Sequence, residues 1–385
     1  MDTTEKQTGL LLLGIGGGGC RLVSQVVKRT AHDIRAICVD TDSQTDRQDV
    51  DEADRVPFKL IGGSRLSGHG AGGDPIAGRA AAQDDLANLL ALTQDIRMVI
   101  VVTCLGGGTG SGASGEIVKK LHDNGFTTLC LVTKPFAFEG KVRKQTADRY
   151  LPMIEEHASS LCVISLDDLF QETGEDILER ALAAADKQLC ECLALLWKLL
   201  YRSGFIRINS ENLHNLASHG GHICMGYGCA AGEGRAKGAV AALKQNRLLQ
   251  RGETLSKANA LILGILAGSD LRLSEIGEIM ADIAALCPAN CDIQMGTVQD
   301  ESYSGSIELV AMVFDSWTVV REQPPIATDI PVRVNPRAKK NASGGSKLGF
   351  GPHGRGRFEN VETTTFQGED LDVPTYVRRG MTLET

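Results

Sequence analysis

The sequence predicts an α/β protein: a parallel sheet covered by helices on both faces, then a long helix, a second smaller α/β region and a tail. Three observations carry this. Short, continuously apolar runs recur at residues 10–13, 34–39, 98–103, 127–133 and 161–164. Segments with helical spacing separate them. Two glycine-rich runs stand where a strand gives way to a helix. Strands apolar on both faces belong to parallel sheets sandwiched between helices.

The elements follow in order. The run at 10–13 ends in glycines, and the helix after it spans 20–29, with Leu22, Val23, Val26 and Val27 on one face. Asp74 followed by Pro75 is a helix cap with proline at the first helical position, opening a helix to about residue 92. Further helices are expected over 112–123 and 141–157. A long helix over 175–200 carries Leu178, Leu182, Leu189, Leu193, Leu196 and Leu200, enough apolar surface to form a spine between two partners. Beyond it, ANALILGIL and SIELVAMVF are strand-like, with an amphipathic helix over 273–286 between them. Past Pro324, glycine, proline and basic residues dominate through Arg357, the composition of a disordered linker. The last stretch regains Leu371, Val373, Tyr376 and Val377 between charged flanks, as an order-on-binding peptide does. The expected division is 1–174 nucleotide-binding domain, 175–203 core helix, 204–322 smaller α/β domain, 323–366 linker and 367–385 partner-binding peptide.

Composition narrows the function. A net charge of −8 argues against a general attraction to nucleic acid. No run approaches the 20 or so apolar residues of a spanning helix, and the first residues lack a signal peptide's basic segment. A soluble cytoplasmic protein is expected, and the odd count of eleven cysteines fits a reducing compartment. His219, His222, Cys224 and Cys229 cluster, but at no familiar zinc spacing, so no metal site is expected.

Chemistry concentrates in the two glycine runs. GIGGGG, residues 14–19, matches G-x-G-x-x-G, and Asp40 ends the next strand about twenty residues on. Alone, this suggests an NAD-dependent oxidoreductase in which the acid holds a ribose hydroxyl. The run GGGTGSG, residues 106–112, changes the balance. Its glycines let backbone N–H groups approach phosphate oxygens, and Thr109 and Ser111 add hydroxyl donors. Two such loops can embrace one polyphosphate, whereas a dehydrogenase needs one. The Walker pattern G-x-x-x-x-G-K-[ST] is absent.

GGGTGSG after a buried strand resembles the signature of the tubulin/FtsZ family. The likeness extends to LGIGGGGCRLV, VDTDSQ, GHGAGGDPIAGR, TKPFAFEGKVR, HICMGYGCAAGEGRA and the terminal DLDVPTYVRR, in the family's order. It implies GTP/GDP binding with Mg2+ on the triphosphate, GTPase activity, and head-to-tail filaments serving bacterial cytokinesis at the division site. By the same resemblance, Gly17, Gly18, Gly19, Cys20 and Arg21 lie at the first phosphate loop. Gly107, Gly108, Thr109, Gly110 and Ser111 lie at the second. Glu139 and Arg143 lie beside the ribose and base, and Asp186 lies near the base on the core helix. Residues 370–379, from Asp370 to Arg379, match the peptide that docks on division partners, through which alone a membrane would be reached.

The departures concern catalysis. The family completes hydrolysis with an Asn-x-Asp-x-x-Asp loop supplied by the next subunit. Here the loop reads Arg207-Ile208-Asn209-Ser210-Glu211-Asn212, so amides stand at both carboxylate positions and Glu211 is one place off. The base pocket has Ser165-Leu166-Asp167 for Pro-Asn-Asp, Leu182 for an aromatic, and Cys20 and Arg21 for glycine and asparagine. Two functions fit: a filament-forming division GTPase with slow hydrolysis, or a non-catalytic paralogue that co-assembles with an active relative.

Overall fold

The structure, a computed structural model, describes residues 9–30, 34–46, 55–93, 95–170, 178–202, 204–218 and 220–315, with 365–366 and 369–370. All but the last four belong to one compact unit, residues 1–320; residues 321–385 form a second. In the second unit the described residues are two short antiparallel strands, Thr365–Phe366 and Glu369–Asp370, of which the first lies at the end of the expected linker. The remainder of that linker and peptide lies outside the described residues.

The larger unit contains two sheets. Six parallel strands make the first: β1 (Leu10–Ile15), β2 (Ala36–Asp40), β3 (Phe58–Leu60), β4 (Met98–Cys104), β5 (Thr127–Lys134) and β6 (Ser160–Ser165). Their order is β3-β2-β1-β4-β5-β6, so the chain runs outward in opposite directions from the β1/β4 pair. The helices are α1 (Gly16–Arg29), α2 (Gly63–Leu66), α3 (Pro75–Ala91), α4 (Gly108–Asp123), α5 (Lys141–Glu155), α6 (Leu166–Phe170) and α7 (Leu178–Tyr201). After α8 (Ser210–Ser218) come β7 (Ile223–Ala231), α9 (Arg235–Gln245), β8 (Ala260–Ala267), α10 (Leu273–Leu286), β9 (Asp292–Gln299) and β10 (Ser306–Phe314). The second sheet has order β7-β10-β8-β9, with β8 and β9 parallel and β10 antiparallel to both its neighbours.

Alternation along each strand builds three cores. Leu11, Leu13 and Ile15 pack with Ala81, Ile117 and Val118 on one face of the first sheet. Leu10 and Leu12 share a cluster with Val23, Leu193, Leu196 and Trp197, and that cluster continues into Ile262, Val310 and Met312 of the second sheet. The far face of the second sheet packs Ile265, Leu309 and Val313 against Leu243 and Ile279. Helix α7 therefore lies between two sheets, as its leucine spacing implies.

Differences from expectation are concentrated at the glycines. Helices α1 and α4 begin at Gly16 and Gly108, several residues before the positions the apolar spacing suggests. Most of GGGTGSG is thus the first turns of a helix rather than a loop. The reason is close packing, which outweighs the low helix propensity of glycine. A Cβ at Gly110 would stand 2.2 Å from Cys104 O, and one at Gly112 1.9 Å from Pro75 O. Asp74 caps α3 as expected, its side chain accepting from Ile76 N–H at 2.9 Å. Helix α8 and strand β9 were not legible, the first because only Leu213, Leu216 and Ala217 mark its apolar face over nine residues, the second because its apolar alternation is weak.

One buried cation braces the second sheet. Arg235, at the start of α9 with 7% of its side chain exposed, forks onto Glu275 (Nε–Oε1 2.8 Å, Nη2–Oε2 2.9 Å) and also reaches Asp270. Hydrogen bonds from Arg235 hold both carboxyls below their usual range. Their folded pKa values are depressed, so the stabilisation is complete above the unfolded values near pH 4 and is lost as pH falls through the folded ones. Arg235→Leu is expected to lower the melting temperature at pH 7. The gap from the parent should narrow as thermal melts are repeated towards pH 3.

Candidate nucleotide-binding site

Both glycine runs leave the carboxyl ends of adjacent parallel strands, β1 and β4, at the point where the strand order reverses. Crevices at that point are where open α/β sheets bind ligands. A cleft of about 650 Å3 opens there. Gly16, Gly17, Gly18, Gly107, Gly108, Thr109 and Gly110 line it, together with Gly70, Ala71 and Gly72. Two helix N-termini, those of α1 and α4, meet here and supply unpaired N–H groups and partial positive charge. Gly107 faces open space, with nothing within 4 Å of where its Cβ would be. Cys104, Pro135, Phe136, Phe138 and Leu166 also line the cleft, with Arg21, Thr133, Glu139 and Arg143.

Most of the expected residues stand on the cleft wall: Gly17, Gly18, Arg21, Gly107, Gly108, Thr109, Gly110, Glu139 and Arg143. Four do not. Gly19 is buried against β4, where a Cβ would sit 2.3 Å from Val102 O. Cys20 is fully buried and its Sγ points to Gly14 O and Val39 O, each at 3.6 Å. The neighbouring Cys38 thiol, then burial, push the Cys20 thiol well up. Ser111 turns its hydroxyl inward to accept from Gly106 N–H at 2.9 Å, bracing the turn at which Gly106 adopts φ 102°. Asp186 lies behind Arg21, whose Nη1 and Nη2 fork onto its two oxygens (Nη2–Oδ1 3.2 Å). Burial pushes the Asp186 carboxyl up, against the pull of Arg21. The side chain of Leu182 lies outside the described residues.

Other acids are committed locally. Asp40 accepts from Thr41 N–H (2.7 Å) and from the Thr45 hydroxyl (2.7 Å), so both oxygens shape their own turn. Asp167 receives Ala137 N–H on both oxygens, at 2.9 and 3.1 Å. Glu139 pairs with Arg143 and accepts Phe136 N–H at 2.9 Å. Of the cysteine–histidine cluster, Cys224 and Cys229 stand five apart on β7 and so face opposite ways, while His219 lies outside the described residues. Among the described residues no three His, Cys, Asp or Glu side chains could hold a metal ion.

Thr133 was missed. Its Oγ1 is buried, lines the cleft and has, among the described residues, no stronger partner than the Cys104 thiol beside it. A thiol is a weak hydrogen-bonding group, so the hydroxyl keeps capacity for a ligand atom. The only sequence signal was a polar residue at the end of an apolar strand. Thr133→Val is expected to leave the melting temperature unchanged or slightly raised, and to weaken nucleotide binding about three- to tenfold in a titration.

The remaining predicted residues gather at the opposite end of the central strands, by the amino ends of β1 and β4. Asn209 and Asn212 cap α8 reciprocally: Asn209 N–H donates to Asn212 Oδ1 (3.1 Å), and Asn212 N–H to Asn209 Oδ1 (2.9 Å). Glu211 pairs with Arg97 at 2.9 Å. Asn209 and Glu211 border a cavity of about 740 Å3 with Arg202, Arg207 and the first residues of β1 and β4.

The fold and the cleft define the class: an α/β protein with a crevice suited to a nucleoside polyphosphate where two glycine-led helices begin. Residues 10–174 match the GTPase domain of the tubulin/FtsZ family, and 221–315 the C-terminal domain of the FtsZ family. A "Cell division protein FtsZ" of Pseudomonas aeruginosa is 30% identical over 379 residues, spanning 98% of this chain and 91% of that protein. Its namesake from Pseudomonas putida is 32% identical over 301 residues, 78% of this chain and 74% of that one. A solved "FtsZ dimer, empty" from M. jannaschii superposes with TM-score 0.73 at 27% identity, covering 81% of this chain and 89% of that one. The Haloferax volcanii CetZ2 structure shares the fold, with TM-score 0.63 at 20% identity over 79% of this chain and 92% of that one. The chain belongs to the tubulin/FtsZ family and carries its GTPase domain.

Proposed function

We propose that this chain is a GTP-binding, filament-forming cell-division protein whose hydrolysis is slow. The observation that carries the slow step is the reciprocal cap of Asn209 and Asn212. Both amide oxygens are spent on backbone N–H groups, and an amide takes no proton at neutral pH. The nearest carboxylate, Glu211, is held by Arg97. In a head-to-tail filament this loop would meet the nucleotide of the next copy with donors and no free base. Exposed apolar side chains at both ends support such stacking: Phe138 and Val142 by the cleft, Phe205 and Ile206 beside the far loop. The bound nucleotide is GTP or GDP. With a triphosphate, Mg2+ would be held by phosphate oxygens and by Asp42, a carboxylate on the cleft wall.

Sedimentation with GTP and with a slowly hydrolysed analogue tests this. Pelleting with both, and little phosphate release, is expected; no nucleotide-dependent pelleting sinks the proposal. The silent loop also supports a second function, co-assembly with an active relative at the division site. In that case this chain, added in increasing amounts, lowers the relative's phosphate release while total pelleted protein is maintained.

A further inference from the structure

Where α10 gives way to β9 the chain reads Cys287-Pro288-Ala289-Asn290-Cys291. Proline disfavours helical backbone in the residue before it, so α10 stops and Cys287 is extended (φ −100°, ψ 158°). Cys291 N–H then donates to Pro288 O at 3.0 Å, turning the chain back. The turn sets two side chains together. The Cys291 thiol donates to the Cys287 sulfur, and both rest, half-buried, on the apolar cluster around Ile279 and Ile283. That hydrogen bond holds the Cys287 thiol below its ordinary value. The same bond and then burial push the Cys291 thiol up, and the charge of Asp292 adds to this. Cys20 and Cys38 also touch, but at 0% and 4% exposure no dissolved reagent reaches them.

We propose that Cys287 and Cys291 form a reversible dithiol–disulfide site, with small-molecule disulfides of the glutathione type as its oxidant. The Cys287 thiolate attacks one sulfur of the reagent, giving a mixed disulfide and releasing one small thiolate. The Cys291 sulfur, deprotonated as it attacks, displaces the second small thiolate from Cys287 and closes the protein disulfide. The two cysteine protons end, through solvent, on the two released thiols, and two electrons pass from protein to reagent. Excess small thiol runs both steps backwards. The bridge fastens the end of α10 to the residue before β9, an outer strand of its sheet. Pro288 and the turn already restrict the chain there, so little further ordering is needed to close it.

The test is mass spectrometry of the folded, full-length protein, held with glutathione disulfide, alkylated and digested with trypsin. Cleavage after Arg272 and Arg321 gives one peptide, 273–321, whose only cysteines are Cys287 and Cys291. This peptide should resist alkylation and weigh two hydrogens less than the dithiol. Dithiothreitol should make it doubly alkylated again. The Cys291→Ser variant should stop at the mixed disulfide on Cys287. The Cys287→Ser variant should be captured at Cys291 about tenfold more slowly, following its lower thiolate fraction. Equal rates overturn Cys287 as the attacking sulfur. A peptide that stays doubly alkylated while the exposed Cys229 carries glutathione overturns the site, as does a bridge that forms only in denaturant. The first comparison uses the unaltered chain, so it needs no variant to fold.

Discussion

Replacing Asn209 and Asn212 together by aspartate is expected to raise steady-state phosphate release in assembled protein by at least about a hundredfold, the lower end of the 10²–10⁴ range of a positioned acid–base group. The substitution suits the fold because each amide oxygen now accepts a backbone N–H, and a carboxylate oxygen accepts it equally well at a helix N-terminus. Helix α8 should therefore be as stable as before, and melting curves should nearly coincide. A carboxylate also has lone pairs left after capping, which is what water activation requires. The double variant must still pellet with GTP for the rate to be informative. If it pellets, binds nucleotide and releases phosphate no faster, the loop is not what limits turnover. Adding Arg97→Ala, which frees Glu211, provides an internal comparison: its own effect should be small, since an exposed ion pair contributes at most about 1 kcal/mol.

Gly112→Ala is expected to be strongly destabilising for a single methyl. Its Cβ would stand 1.9 Å from Pro75 O and 2.7 Å from Arg79 N, both backbone atoms of α3. Relief requires α3 and α4 to separate, at a cost of about 1–3 kcal/mol or more. Helix α4 opens on the cleft with Gly108, Thr109 and Gly110, so nucleotide affinity should fall with stability. Gly107→Ala is the informative control. Nothing lies within 4 Å of its Cβ and its φ is −94°, so the fold should tolerate it. It nevertheless lines the cleft, where a methyl would keep phosphate oxygens from the backbone. Unchanged melting with nucleotide affinity reduced about tenfold is expected, and unchanged affinity would remove Gly107 from the phosphate site.

The parallel sheet was readable because its strands are apolar on both faces, and α7 because its leucines repeat at helical spacing. The second sheet was read only in part. Strand β9, DIQMGTVQ, alternates weakly and is half-buried, so pairing with β8 rather than its own composition makes it a strand. At the site, the glycines announced themselves because backbone approach admits few alternatives. Side-chain roles did not. Ser111 and Thr109 are two residues apart in one run, yet the first braces Gly106 and the second faces the cleft beside Thr41. Asp186 was named from resemblance, but its partner 165 residues earlier in the chain decides what the cleft presents. Such pairings depend on folded distance, which no spacing rule contains.

The position of α7 has a consequence for how the chain comes apart. Leu193, Leu196 and Trp197 sit in one apolar cluster with residues of both sheets. Neither lobe has a complete interior without this helix. Cutting the chain on either side of α7 gives the helix to one half and leaves the other with an open apolar face. Intact, the two lobes form a single cooperative unit, and heating should release both in one transition.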